Sequence, residues 1–91
     1  MQRRVGVVAV MAQSRENSAE SINRIISEHG ELIHGRIGLP FRECGTSVIA
    51  LIVEADTDEL GAFTGKLGML PGVEARTMLF GGSGRCRGKG V

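Results

Sequence analysis

The side chains best suited to hold a soft metal in the folded part of this chain are His29, His34 and Cys44. His29 closes a helical run, where a partly positive imidazole suits the helix dipole and a structural role is sufficient. His34 falls within an extended run and Cys44 beside a turn. If Leu39 pairs near Thr46, His34 lies opposite about Leu51. Cys44 is then about seven residues further along, on the order of 20 Å away at the rise of a strand. A single metal needs its ligands near ~2 Å, so one subunit cannot use both. Only a site shared between subunits stays open. The expectation is that the isolated chain binds no transition metal tightly, and no cofactor is assigned.

Nucleophilic chemistry finds no better footing. Ser14, Ser18 and Thr64 have no histidine at a persuasive spacing, and the acidic residues cluster at helix starts, where capping explains them. Neither G-x-G-x-x-G nor a P-loop is present, and the glycines from 81 to 84 are followed by no Lys-Ser/Thr. No enzymatic activity is expected. One further pattern stands out. Gly61, Gly65 and Gly68 form a stripe nearly opposite the Leu60, Phe63 and Leu67 face of one predicted helix. Each costs about 1 kcal/mol there relative to alanine. A second helix, a ligand approaching the backbone, or slack selection on a surface would each account for the stripe.

The elements that position these residues follow from periodicity. Residues 3–12 (R-R-V-G-V-V-A-V-M-A) form an apolar, β-branched run typical of a buried strand. Asn17 with Glu20 three residues on makes a capping pair for a helix near 17–29. Ala19, Ile22, Ile25 and Ile26 line its apolar face, and Gly30 stops it. A second strand spans 31–39 with Ile33, Ile37 and Leu39 on one face, followed by a turn over 40–45. The third strand covers 46–55. Asp56 and Glu59 repeat the capping pattern for a helix near 57–69, whose stripe is Leu60, Phe63, Leu67 and Leu70. A Gly/Pro stop then leads into a strand at 73–79 that alternates Val73, Ala75, Thr77 and Leu79.

This β-α-β-β-α-β order predicts an α+β, ferredoxin-like sandwich. Right-handed crossovers put both helices on one face of a four-stranded antiparallel sheet of order 4-1-3-2. The inner strands, however, are apolar on both faces. A few hundred Å² of apolar surface would be left in water, which soluble monomers rarely tolerate. Another copy of the chain is the simplest cover, so a homodimer, or a homotetramer built from one, is expected.

Composition bounds the rest. At 91 residues the chain holds one domain, assigned to 1–80, with a flexible glycine-rich basic tail over 81–91. Only two cysteines are present, one of them (Cys86) in that tail, and no signal peptide is visible, so a reducing cytoplasm fits. No run approaches the roughly 20 apolar residues of a membrane helix. A formal charge of +1 gives no general attraction to nucleic acid or anionic lipid. With three Phe and no Trp or Tyr, stacking platforms for single strands are absent too.

Over nearly all of 3–79 the chain resembles the iron-only hydrogenase system regulators, small ACT-like proteins related to the effector domain of nickel-responsive repressors. The stretches that carry the resemblance are R-V-G-V-V-A-V, G-R-I-G-L-P-F-R-E-C-G, I-A-L-I-V and T-D-E-L-G-A-F-T-G-K-L-G-M-L-P-G-V. The resemblance implies an oligomeric regulator and not a catalyst. No ribbon-helix-helix precedes the ACT-like part, so direct DNA binding is not implied. ACT domains that bind amino acids usually place a glycine between strand one and helix one. Residues 13–17 here contain none, which departs from that pattern. Amides at this helix start can still hold a carboxylate or phosphate, although ordinary capping explains them equally. The candidate effector or interface residues are therefore Gln13, Asn17, Ser18, Gly61, Gly65 and Gly68. The favoured function is an effector-sensing regulatory module for a transcriptional or hydrogenase system. The alternative is a structural interaction module without a small-molecule ligand.

Overall fold

The computed structural model describes residues 3–13, 18–41 and 43–81. Asn17, its capping pair with Glu20 and the tail beyond Gly81 lie outside them. Strand β1 (Arg4–Gln13) leads to helix α1 (Ala19–Glu28), a 3-10 turn (Gly30–Leu32), strands β2 (Ile33–Phe41) and β3 (Thr46–Ala55), helix α2 (Thr57–Gly68) and strand β4 (Val73–Leu79). The sheet is antiparallel with order β2-β3-β1-β4, the topology expected.

Both helices lie on one face. Val8 and Val10 of β1 and Leu51, Val53 and Ala55 of β3 are buried, together with Ile22, Ile25 and Ile26 of α1 and Leu60, Phe63 and Leu67 of α2. Ala19, expected on the apolar face of α1, is exposed. Asp56 caps α2 as its spacing predicts. Asp56 Oδ1 accepts from the Glu59 N–H at 2.8 Å, and Glu59 Oε1 accepts from the Asp56 N–H at 3.0 Å. Replacing Asp56 by alanine removes half of this box, so chemical denaturation should report a loss of about 1 kcal/mol. A loss below a tenth of that would mean solvent caps the helix equally well.

Past α2, the L-P-G-V turn needs Gly72, whose φ of 71° is left-handed, and the Gly72 carbonyl accepts from the Gln13 N–H at 3.0 Å. This bond and that from Ser18 Oγ to the Pro71 carbonyl, 2.9 Å, tie both ends of the β1–α1 connection to the α2–β4 turn.

Several expectations need correction. Helix α1 stops at Glu28 with His29 as its C-cap, just before Gly30 as expected, but Gly30 then opens a 3-10 turn that buries Leu32. Strand β2 extends through Pro40 and Phe41, which pair with Ser47 and Thr46, so the turn is shorter than expected. Leu39 pairs with Val48, not near Thr46. A bulge at His34 moves the pairing from Ile33–Val53 to Gly35–Ile52. The extra residue reverses side-chain parity. Ile33 therefore packs on the core side, while Ile37 and Leu39 face the other way, 65% and 57% exposed.

The helix-free face is apolar across β2, β3 and β1, and on the edge strand β4 Glu74 and Arg76 end two of its rows. Register aligns Leu39, Val48 and Met11 in one row, Ile37, Ala50 and Ala9 in the next, and Ile52, Val7 and Met78 in a third. Charges on this face are confined to its margins. Arg76 pairs with Glu74 on β4, and His34 Nε2 lies 3.2 Å from Glu54 Oε1 at the opposite edge.

Candidate functional site

A groove of about 340 Å³ opens on the helix side, between α1 and the β2–β3 ribbon. Its origin is a gap in cover. Helix α2 packs over β3 and β4 and α1 leans on α2, so β2 is the strand that the helices cover least closely. The β2 residues facing that side are Arg36, Gly38 and Pro40, two of which have little or no side chain to fill the space. Ala12, Ile22 and Ile49 supply an apolar floor. A Cβ built at Gly38 would meet only Ile49 Cγ1 at 3.8 Å, so bulk added there grows into the groove.

Two positive features flank this floor. The Arg36 guanidinium donates from Nη2 to Asn23 Oδ1 of α1 at 3.2 Å, a neutral amide that leaves its charge uncompensated by that bond. The start of α1 also faces the groove, through Ser18 and Ala19. Ser18 occupies the N-cap but does not cap, because its hydroxyl is spent on Pro71. First-turn amides carry partial positive charge, and Ser18 does not take one of them. The groove thus sets a guanidinium and a helix N-terminus beside an apolar floor.

Of the residues singled out from sequence, Gln13 and Ser18 meet at this groove. Gly61 lies elsewhere, in a shallow crevice between α2 and β4 beside Thr77. Cβ atoms built on Gly61, Gly65 and Gly68 meet nothing within 4 Å, so no part of the described subunit approaches this stripe. Arg36, Asn23 and Gly38 were not anticipated. The signal available was R-I-G-L-P itself, with small residues on alternate positions, but the hidden bulge obscured which face they share.

The metal candidates are scattered. His34 sits at the bulge beside Glu54, and Cys44 is exposed in the turn at the other end of the β2–β3 ribbon. Among the described residues no cluster of three His, Cys, Asp or Glu is placed to hold a metal. His29 caps α1, with its ring centroid 5.1 Å from that of Phe63. Its Nε2 lies 3.2 Å from Lys66 Nζ. An ammonium can only donate, so Nε2 accepts. Lys66 of α2 also reaches Glu28 at 3.6 Å, so a cation stands beside this helix end. Among the described residues no helix is long and apolar enough to cross a membrane.

Comparison with known proteins gives this geometry a family. Residues 4–77 match the family model described as "TM1266-like: Iron-only hydrogenase system regulator, putative". The solved structure of TM1266 from Thermotoga maritima superposes with a TM-score of 0.82 at 30% identity, covering 87% of this chain and 99% of that one. The ACT domain of the GTP pyrophosphokinase of Chlorobium tepidum gives 0.71 at 16% identity, over 85% of this chain and 100% of its own. A protein from Galdieria sulphuraria gives 0.58 at 13%, over 87% of this chain and 46% of its own. The last two likenesses establish the fold alone, an ACT-like one. A search of curated proteins gave no match. The match over 4–77 and the likeness to TM1266 place this chain in the TM1266-like family of iron-only hydrogenase system regulators.

Proposed function

We propose that the chain is a non-catalytic regulatory module that binds a small anionic effector in the groove between α1 and β2, and that it works as a homo-oligomer in transcriptional or hydrogenase-system regulation. The observation that carries the reading is that Arg36 and the start of α1, which Ser18 does not cap, flank one apolar floor. An effector's carboxylate or phosphate would take the guanidinium and the first-turn amides, while its apolar part covers Ile22 and Ile49. Filling the groove adds to the Arg36–Asn23 hydrogen bond in joining β2 to α1. Any difference in effector affinity between assembled and free subunits then shifts their association.

A thermal-shift screen of amino acids, nucleotides and inorganic phosphate tests this. At least one anion should raise the melting temperature in a concentration-dependent way. Arg36→Ala removes a charge-assisted hydrogen bond of about 1.5–3 kcal/mol, so affinity should fall at least ~10-fold. Gly38→Leu should abolish the shift by filling the groove. If no compound shifts the wild type, the sensing function is lost.

The second reading is a docking module with no small-molecule ligand, and the apolar sheet face favours it. That reading gains if no compound shifts the wild type while a partner protein co-purifies and is lost in a Gly65→Leu variant.

A further inference from the structure

We propose that the ligand of the α1–β2 groove is a small aliphatic monocarboxylate that carries no ammonium group, an inference that rests on the effector reading above and names its chemical class. Among the described residues that line the groove, Arg36 alone bears a formal charge, and no aspartate or glutamate is present. Glu20, the acid of the first turn of α1, stands outside that lining. One cation is balanced by one negative charge. The bond to Asn23 Oδ1 uses a single N–H of the guanidinium, so a planar fork of donors remains for a carboxylate.

The same features reject an amino acid and a nucleotide. An α-ammonium sits one carbon from its own carboxylate. A carboxylate held by Arg36 would bring that ammonium beside the guanidinium, where like charges repel. Asn23 Oδ1 already accepts from Arg36, and no lining carboxylate among the described residues answers the second charge. For a nucleotide the lining offers no aromatic ring, again among the described residues, so the base has nothing to stack on. Its phosphate also brings more charge than one guanidinium balances. A hydrocarbon body fits instead. Ala12, Ile22 and Ile49 form the floor, and Gly38 leaves the space above it open. The volume of about 340 Å³ lies at the small end of ligand sites, which run from about 300 to 1,000 Å³. A few methylene or methyl groups cover this floor while the carboxylate reaches Arg36.

Isothermal titration calorimetry of the full chain with 4-methylpentanoate, leucine, 3-methylbutylamine and inorganic phosphate tests the assignment. Leucine is 4-methylpentanoate with an ammonium added, and the amine keeps the branched body without the carboxylate. The acid should bind, leucine at least ~10-fold more weakly, and the amine and phosphate not detectably. From butanoate to pentanoate to hexanoate, affinity should rise about 2–4-fold per methylene as each covers more of the floor. Asn23→Asp sets a carboxylate against Arg36 without a change of size and should weaken the acid at least ~10-fold. Both side chains are exposed, so the fold is not at stake, and an unchanged circular dichroism spectrum checks it. Leucine binding as tightly as the acid overturns the proposal. So does phosphate binding where no carboxylate binds, or an affinity that ignores chain length. In each of these cases the groove remains an effector site if Arg36→Ala abolishes the binding seen. Acid binding that Asn23→Asp and Arg36→Ala both leave intact lies elsewhere, and it overturns the proposal as well. A wild type that binds no anion at all ends the effector reading together with this one.

Discussion

Phe63→Ala should cost about 3–5 kcal/mol, the largest loss from any single truncation in this subunit. Phe63 is fully buried at the middle of α2, and it is the one phenylalanine of the three that serves the core. The other core side chains are aliphatic, so no neighbour has the bulk to close the cavity by a change of rotamer. The substitution also removes the ring against which His29 rests, loosening the end of α1 from α2. A domain of this length has only about 5–10 kcal/mol of stability in total. The variant should therefore lose a third or more of its stability in urea denaturation, with an unchanged slope. Because association adds to apparent stability, the comparison belongs at one protein concentration. A loss below about 1 kcal/mol would show that the helix layer collapses onto the sheet, and that the aliphatic cluster alone holds the fold.

That residue was legible in the sequence for a physical reason. Leu60, Phe63 and Leu67 recur at helical spacing behind a capping box, two local signals that agree, and the helix they predict runs from Thr57 to Gly68. Strands β1 and β3 were legible because runs of valine, isoleucine and leucine have few alternatives at that length. Strand β2 was legible only as a strand. Its register depends on one inserted residue at His34, and no local pattern announces a bulge that is defined by pairing across the sheet. A one-residue shift exchanges faces, so Ile33 was placed with Ile37 and Leu39, and Arg36, Gly38 and Pro40 went unseen as one wall of a groove. The apolar open face was legible because it is a sum over composition and insensitive to that shift. The groove was not, because it depends on where α1 stops covering the sheet, a matter of tertiary packing. Gln13 and Ser18 reach it for a reason the sequence conceals, since Ser18 is turned away from its own helix by the Pro71 carbonyl.

Gly6→Ala should destabilise by about 1–3 kcal/mol, against the usual sense of such a change. Within a strand, glycine is ordinarily worse than alanine by roughly 0.5–1 kcal/mol, so the local expectation is a gain. Gly6 is buried on β1 opposite Leu79, where β4 closes over it. A Cβ there would sit 2.4 Å from the Met78 carbonyl oxygen, 2.6 Å from Leu79 Cδ2 and 3.1 Å from Leu79 Cα. The Leu79 methyl can swing aside, but the carbonyl and Cα are backbone and yield only if the end of β4 moves. That end carries Leu79 against the core and holds Phe80 on the open face through the bond from its N–H to the Val5 carbonyl, 2.9 Å. Displacing it therefore strains both sides of the sheet, and the strain exceeds the entropic gain. Hydrogen exchange should show the loss concentrated at Phe80 and the last residues of β4, with α2 protected until global unfolding. Valine at the same position should be worse than alanine, since branching adds a second methyl beside the same carbonyl. A Gly6→Ala protein more stable than the wild type would mean that β4 does not close over β1 as described, and that the glycine is merely tolerated.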